Sequence, residues 1–172
     1  MNKLQRRHFL LAGCAVLAGC GQAASETAAT PKPFDSATAC DLDGMLLADY
    51  AGPKAQVHYA GSVAPVFFCD TVELFATLLR PEQVRAVRAA YVQDMALADW
   101  DRPSGHWFDA KAGFYVVGSR RHGSMGPTFA SFAAEAPAQT FAAQWGGRVL
   151  RYAEVKPEMA DLSGGARHDS RM

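Results

Sequence analysis

Between residues 55 and 155 the chain passes twice through the same order of local signals, and this repetition limits the possible folds more than any other feature. In the first cycle, Ala55 to Ala60 and Val63 to Cys69 are β-like runs joined by a turn at Gly61. Asp70-Thr71-Val72-Glu73 follows with the spacing of a capping box, and Val72, Phe75, Leu78 and Leu79 continue at helical spacing. Pro81 suits the first turn of a further helix with Val84 and Val87 on one side, before Ala90 to Asp94 returns as a strand. In the second cycle Ala112 to Gly118 and Thr128 to Phe132 are β-like, and Pro137 opens a short helix carrying Phe141 and Trp145. Gly146-Gly147 ends that helix, and Arg148 to Val155 alternates as a half-buried strand should. The expected fold is α+β: two small related ββαβ modules, over residues 38–100 and 101–156. Either module alone would bury too little surface, so the two should share a core.

The ends of the chain have a different character. Lys3, Arg6 and Arg7 precede an apolar stretch from Phe9 to Gly19, and Leu17-Ala18-Gly19-Cys20 resembles a lipobox. Residues 1–19 are therefore expected to be a lipoprotein signal peptide, with diacylglycerol on Cys20. Arg6-Arg7-His8-Phe9-Leu10 also has the form of a twin-arginine export signal. Residues 20–37 are small, polar and proline-bearing, a tether from lipid to domain. The tail over 157–172 lacks an apolar period and is expected to be disordered. No apolar run reaches the ~20 residues of a membrane-spanning helix, so the membrane is reached through lipid. A formal net charge of zero offers no basic excess for a nucleic-acid partner.

Four cysteines are present, and removal of the leader and lipidation of Cys20 leave Cys40 and Cys69. No Cys-x-x-Cys occurs, which excludes the thioredoxin-type redox pair and c-type haem attachment. In Cys40-Asp41-Leu42-Asp43-Gly44-Met45 a thiol and a thioether flank a glycine that lets the chain turn, so both can face one point. Thiolate and thioether are soft donors that select Cu(I) over harder ions, whereas Asp41 and Asp43 are poor ligands for it. Further donors are Met125, in a glycine-flanked loop, and the imidazoles of His58 and His106. Cys69 precedes a helix cap and is expected to be a buried small residue.

Several runs, in order, carry a family resemblance: Cys40 to Met45, Gly52-Pro53-Lys54-Ala55-Gln56, Phe67-Phe68-Cys69-Asp70, Gly105 to Ala110, Tyr115 to Ser119, and Met125-Gly126-Pro127. Together they are similar to the NosL family, accessory proteins of nitrous-oxide reductase. The resemblance implies a periplasmic lipoprotein of two ββαβ modules that binds Cu(I) and supplies it for the reductase's copper-sulfide centre. It also implies the reductase and the membrane-bound NosDFY assembly complex as partners. Some members carry Cys-x-x-Cys-Gly-Met here. In this chain Asp43 stands in place of the second cysteine, which argues against a multi-thiolate or zinc-type site. On the residues alone two other classes stay open: a cysteine-dependent lyase or thiol transferase, and a structural lipoprotein with a Cys40–Cys69 disulfide.

Overall fold

A computed structural model describes residues 29–124 and 126–162. The expected leader, Cys20, Met125 and the end of the tail lie outside the described residues.

Strands β1 (Ala55–Tyr59) and β2 (Val66–Phe68) form the expected antiparallel hairpin across Gly61, whose φ of 75° needs a residue without a Cβ. Helix α1 (Thr71–Leu78) starts on the expected capping box, with the Asp70 carboxylate accepting from Val72 N at 2.9 Å and Glu73 accepting from Asp70 N at 3.3 Å. Strand β3 (Val87–Gln93) then pairs antiparallel with β1. The helix expected after Pro81 is absent: residues 80–86 make turns, Val84 is exposed, and Val87 begins β3. The open edge of β1 accounts for this. The run from Val87, with Val87, Tyr91 and Val92 as its strand formers, completes the β1 ladder, and a helix there would leave part of the edge unpaired. Strand β4 (Trp107–Asp109) adds to β3, giving the order β2-β1-β3-β4.

In the second half, β5 (Phe114–Val117) precedes a two-residue ribbon of β6 (His122–Gly123) and β7 (Gly126–Pro127). After it come β8 (Ala130–Phe132), helix α2 (Glu135–Trp145) and β9 (Arg148–Arg151), with sheet order β8-β5-β9. Gly146 ends α2 at φ 79°, donating its N–H to Ala142 O. In both halves the first strand is central and is flanked by the second and third.

Strand alternation divides the second sheet between two cores. Tyr115, Val117 and Leu150 face α1, whereas Val116, Ala130, Phe132 and Val149 face α2. Phe75 of α1 sits at the joint between the halves, with ring centroids 4.8 Å from Tyr115, 5.5 Å from Phe129 and 5.2 Å from Tyr152. The shared core is therefore built around one helix.

Two segments expected to hang free are partly docked. The Gln56 side chain, fully buried, donates to Lys32 O at 2.9 Å and accepts from Lys32 N at 2.8 Å. Tyr91 Oη donates to Ala29 O, and Phe34 packs edge-on against Trp107. At the other end Pro157–Met159 forms a 3-10 turn and Ala160 is buried.

Candidate metal centre

The turn that carries Cys40 is tight. Ala39 and Leu46 form an antiparallel bridge, Cys40 N donates to Met45 O at 2.8 Å, and Gly44 N donates to Cys40 O at 3.0 Å. Gly44 adopts φ 78°, and Asp43 accepts from Met45 N at 2.9 Å. Cys40 and Met45 are therefore opposed across the turn, where paired residues project to one face. Cys40 is 3% exposed, and Met45 is half-buried against the same core.

The start of α1 brings in a second sulfur. Cys69 lies just before the Asp70 cap, and the i, i+4 relation sets it beside Glu73. Glu73 Oε2 lies 3.2 Å from Cys40 Sγ and 3.3 Å from Cys69 Sγ, and Asp43 Oδ2 lies 3.7 Å from Cys69 Sγ. One donor atom from each of Cys40, Asp43, Cys69 and Glu73 falls within 4.8 Å of the others. Both cysteines are free thiols. Two sulfurs thus converge despite the loss of Cys-x-x-Cys at position 43, and Cys69 is a buried residue that is also part of a donor cluster.

Two neighbours hold the cluster in place. Lys54, fully buried in its Gly-Pro-Lys run, donates Nζ to Cys69 O at 3.0 Å and Ala51 O at 3.1 Å. Ser124 Oγ donates to Cys69 O at 2.7 Å and lies 3.2 Å from Cys69 Sγ. Thr128 donates its hydroxyl to Asp70. Gly52, at φ 85°, makes this closure possible, because a Cβ there would meet Gly123 Cα at 2.7 Å. Gly52→Ala is expected to lower the urea midpoint by the equivalent of about 3 kcal/mol, the sum of left-handed strain and overpacking. An unchanged midpoint would mean that the two loops separate freely.

Burial sets the electrostatics. The Glu73 carboxyl is pushed up to about 9 by desolvation, helped by the neighbouring Cys40 and Asp43. The Cys40 thiol is lowered to about 7 because a Cys69 hydrogen bond favours its thiolate, against the opposing effect of burial. Cys69, the donor in that bond and itself buried, is pushed up. Burial lowers Lys54 to about 8, partly offset by Asp70, Cys69, Glu73 and Cys40. Cys40 is therefore the sulfur that ionises first.

The other expected ligands separate. His58 lies on β1 next to Val57, which faces α1, so alternation turns its ring to the opposite face. There it contacts Gln56 at 3.0 Å and Tyr91 edge-on. His106, exposed at φ 53°, precedes β4, three strand spacings or roughly 14 Å from β2. Neither imidazole joins the cysteine cluster. The side chain of Met125 lies outside the described residues, although its chain neighbour Ser124 touches Cys69.

Residues 31–160 match the family model described as NosL. The chain is 36% identical over 159 residues to the copper-binding lipoprotein NosL of Stutzerimonas stutzeri, covering 89% of this chain and 83% of that protein. It is also 36% identical over 160 residues to the protein of the same name from Achromobacter cycloclastes, covering 90% and 82%. Among solved structures, the copper chaperone NosL from Shewanella denitrificans superposes with a TM-score of 0.72 at 37% identity, covering 75% of this chain and 97% of that one.

Proposed function

Because the chain belongs to the NosL family, we propose that it is a periplasmic, lipid-anchored copper chaperone that holds Cu(I) and passes it on for the copper-sulfide centre of nitrous-oxide reductase. The observation that carries this reading is the pairing of Cys40 with Met45 across one tight turn. A readily ionised thiolate and a thioether on one face suit a monovalent soft ion. Met125, beside Ser124, is the third donor in this reading, and Cys20 carries the lipid. NosDFY and the reductase are the partners that receive the ion. The curated relatives' names, copper-binding lipoprotein, support the metal and the anchor.

Transfer favours a shallow site. The turn that bears Cys40 keeps Asp41, Leu42 and Asp43 exposed, so a partner's ligands can approach from that side. An enzymatic role for the thiols is less well supported. The nearest base to Cys40 is Glu73 rather than a histidine, and Cys40 and Cys69 are 3% and 0% exposed, with little room for a substrate. A purely structural disulfide is tested by thiol titration of freshly isolated, unreduced mature protein. Two reactive thiols per denatured chain are expected, and none would favour the disulfide.

The copper reading is tested by titrating the reduced chain with Cu(I) against a colorimetric cuprous chelator. One ion per chain is expected. Met45→Leu keeps the volume and removes the thioether, so it should weaken Cu(I) about tenfold, or 1.4 kcal/mol, with an unchanged circular dichroism spectrum. Unaltered affinity in that variant would remove Met45 from the site. Delivery is tested by whether a strain lacking this chain still assembles a reductase with its copper-sulfide centre.

A further inference from the structure

Cys40 has two different sides. On one side it is paired through the backbone with Met45 across the turn; on the other its Sγ joins a second thiol and two carboxylates. Carboxylate oxygens are hard donors that add little to Cu(I) but suit a divalent ion of borderline softness.

The distances fit such an ion. With metal–sulfur bonds of about 2.3 Å and metal–oxygen bonds of about 2.1 Å, the sulfur–oxygen edge of a tetrahedron is about 3.6 Å. Three of the four sulfur–oxygen separations are 3.2, 3.3 and 3.7 Å, and all four donor atoms lie within 4.8 Å of one another. Independently, Glu73 Oε1 is buried and has no hydrogen-bond partner among the described residues, within a side chain that is 0% exposed. A buried carboxylate oxygen without a donor costs about 1–3 kcal/mol, and a cation held at Oε2 of the same carboxyl, the oxygen that faces both sulfurs, would offset that cost. Two thiolates and two carboxylates also suit a dication better than a monocation, with the Lys54 ammonium beside Cys69 taking up part of the excess charge.

We propose that Cys40, Asp43, Cys69 and Glu73 form a four-donor site for a divalent ion of the zinc class, which shares only Cys40 with the cuprous site. The two ions then compete for one sulfur, and the chain discriminates between them by which side of Cys40 is engaged. The site stands on its own geometry and does not require the copper reading to hold.

Cobalt is the probe, because a thiolate-bound, four-coordinate Co(II) gives a sulfur-to-metal charge-transfer band and intense ligand-field bands. The reduced mature chain is expected to bind one Co(II) per chain with both signatures, and added Zn(II) should erase them. Outer-shell partners of metals are worth about 10–100-fold in affinity, so losing a ligand in Glu73→Gln should cost Co(II) more than about a hundredfold. Asp43→Asn, at an exposed position, should cost Co(II) about tenfold and guards against misfolding of the buried variant. In both variants Cu(I) affinity should fall less than Co(II) affinity, whereas Met45→Leu should show the reverse order. Absence of the charge-transfer band, or Co(II) affinity unchanged in both carboxylate variants, overturns the proposal. Failure of Cu(I) titration alone would overturn only the chaperone reading.

Discussion

Cys40→Ser is expected to lower Cu(I) affinity at least about a thousandfold, equivalent to about 4 kcal/mol. The cause is donor chemistry rather than packing. Cysteine binds a metal as its thiolate, and binding releases the thiol proton. Cys40 sheds that proton near neutrality because the Cys69 hydrogen bond favours its thiolate. A serine hydroxyl does not ionise in this range, and its oxygen is a hard donor. The substitution keeps the turn intact, because Cys40 N to Met45 O and Gly44 N to Cys40 O run through backbone groups, and the serine oxygen can take over the Leu42 N contact that Cys40 Sγ accepts. Far-UV circular dichroism should therefore be unchanged while the chelator competition collapses. Full affinity in this variant would show that the ion sits elsewhere, with Cys69 the first sulfur to examine.

Much of this arrangement was legible in local sequence. The capping box at Asp70 and Glu73, the Gly61 hairpin, the Gly146 stop and the turn over Gly44 each depend on residues within four or five positions of one another. Such features follow from rules that act over a single turn of chain. What could not be read depends on distant partners. The strand from Ala90 was legible, but the segment after Leu79 has residues acceptable to a helix, and its pairing with β1 is what extends the strand back to Val87. The end of the supposed tether has a linker's composition, yet the Gln56 amide, 24 residues away, fixes Lys32.

The same limit applied to the site. Glu73 is visible in sequence as a cap residue, and it is one. Its place in the donor cluster arises because the Cys40 turn lies over the start of α1, a contact across 33 residues. One signal was available: Cys69 and Glu73 stand at i, i+4 around a strong N-cap, which puts a thiol and a carboxylate on one side of the helix start. The histidines lie apart from the cysteine cluster, His58 for a strand-level reason. His58 has a suitable donor atom, but alternation along β1 turns it to the face away from Cys40.

In the metal-free chain, stability should fall as pH rises from about 4.5 toward 7, and Glu73→Gln should abolish most of that fall. The Glu73 carboxyl titrates ordinarily at 4.5 but at about 9 in the fold. Between those values the folded chain keeps a proton that the unfolded chain has released, so raising the pH favours unfolding. The stabilisation is complete below 4.5 and is lost as pH climbs toward 9, at up to about 1.4 kcal/mol per pH unit. Cys40, lowered from 9.0 to about 7, and Lys54, lowered from 10.5 to about 8, act in the opposite direction. For these groups the unfolded chain binds more protons between the paired values, so their effect is to raise stability with pH above about 7. Burial also lowers His58 from its ordinary 6.5, which raises stability with pH inside the same interval, so the difference in urea unfolding between wild type and Glu73→Gln, on the order of 2 kcal/mol between pH 4.5 and 7, isolates the carboxyl. Parallel curves for wild type and Glu73→Gln would refute the assignment. Metal loading should reverse the slope, because the loaded cluster is deprotonated and each proton retained by the empty one must leave on binding. The retained proton of Glu73 then works against binding of the divalent ion.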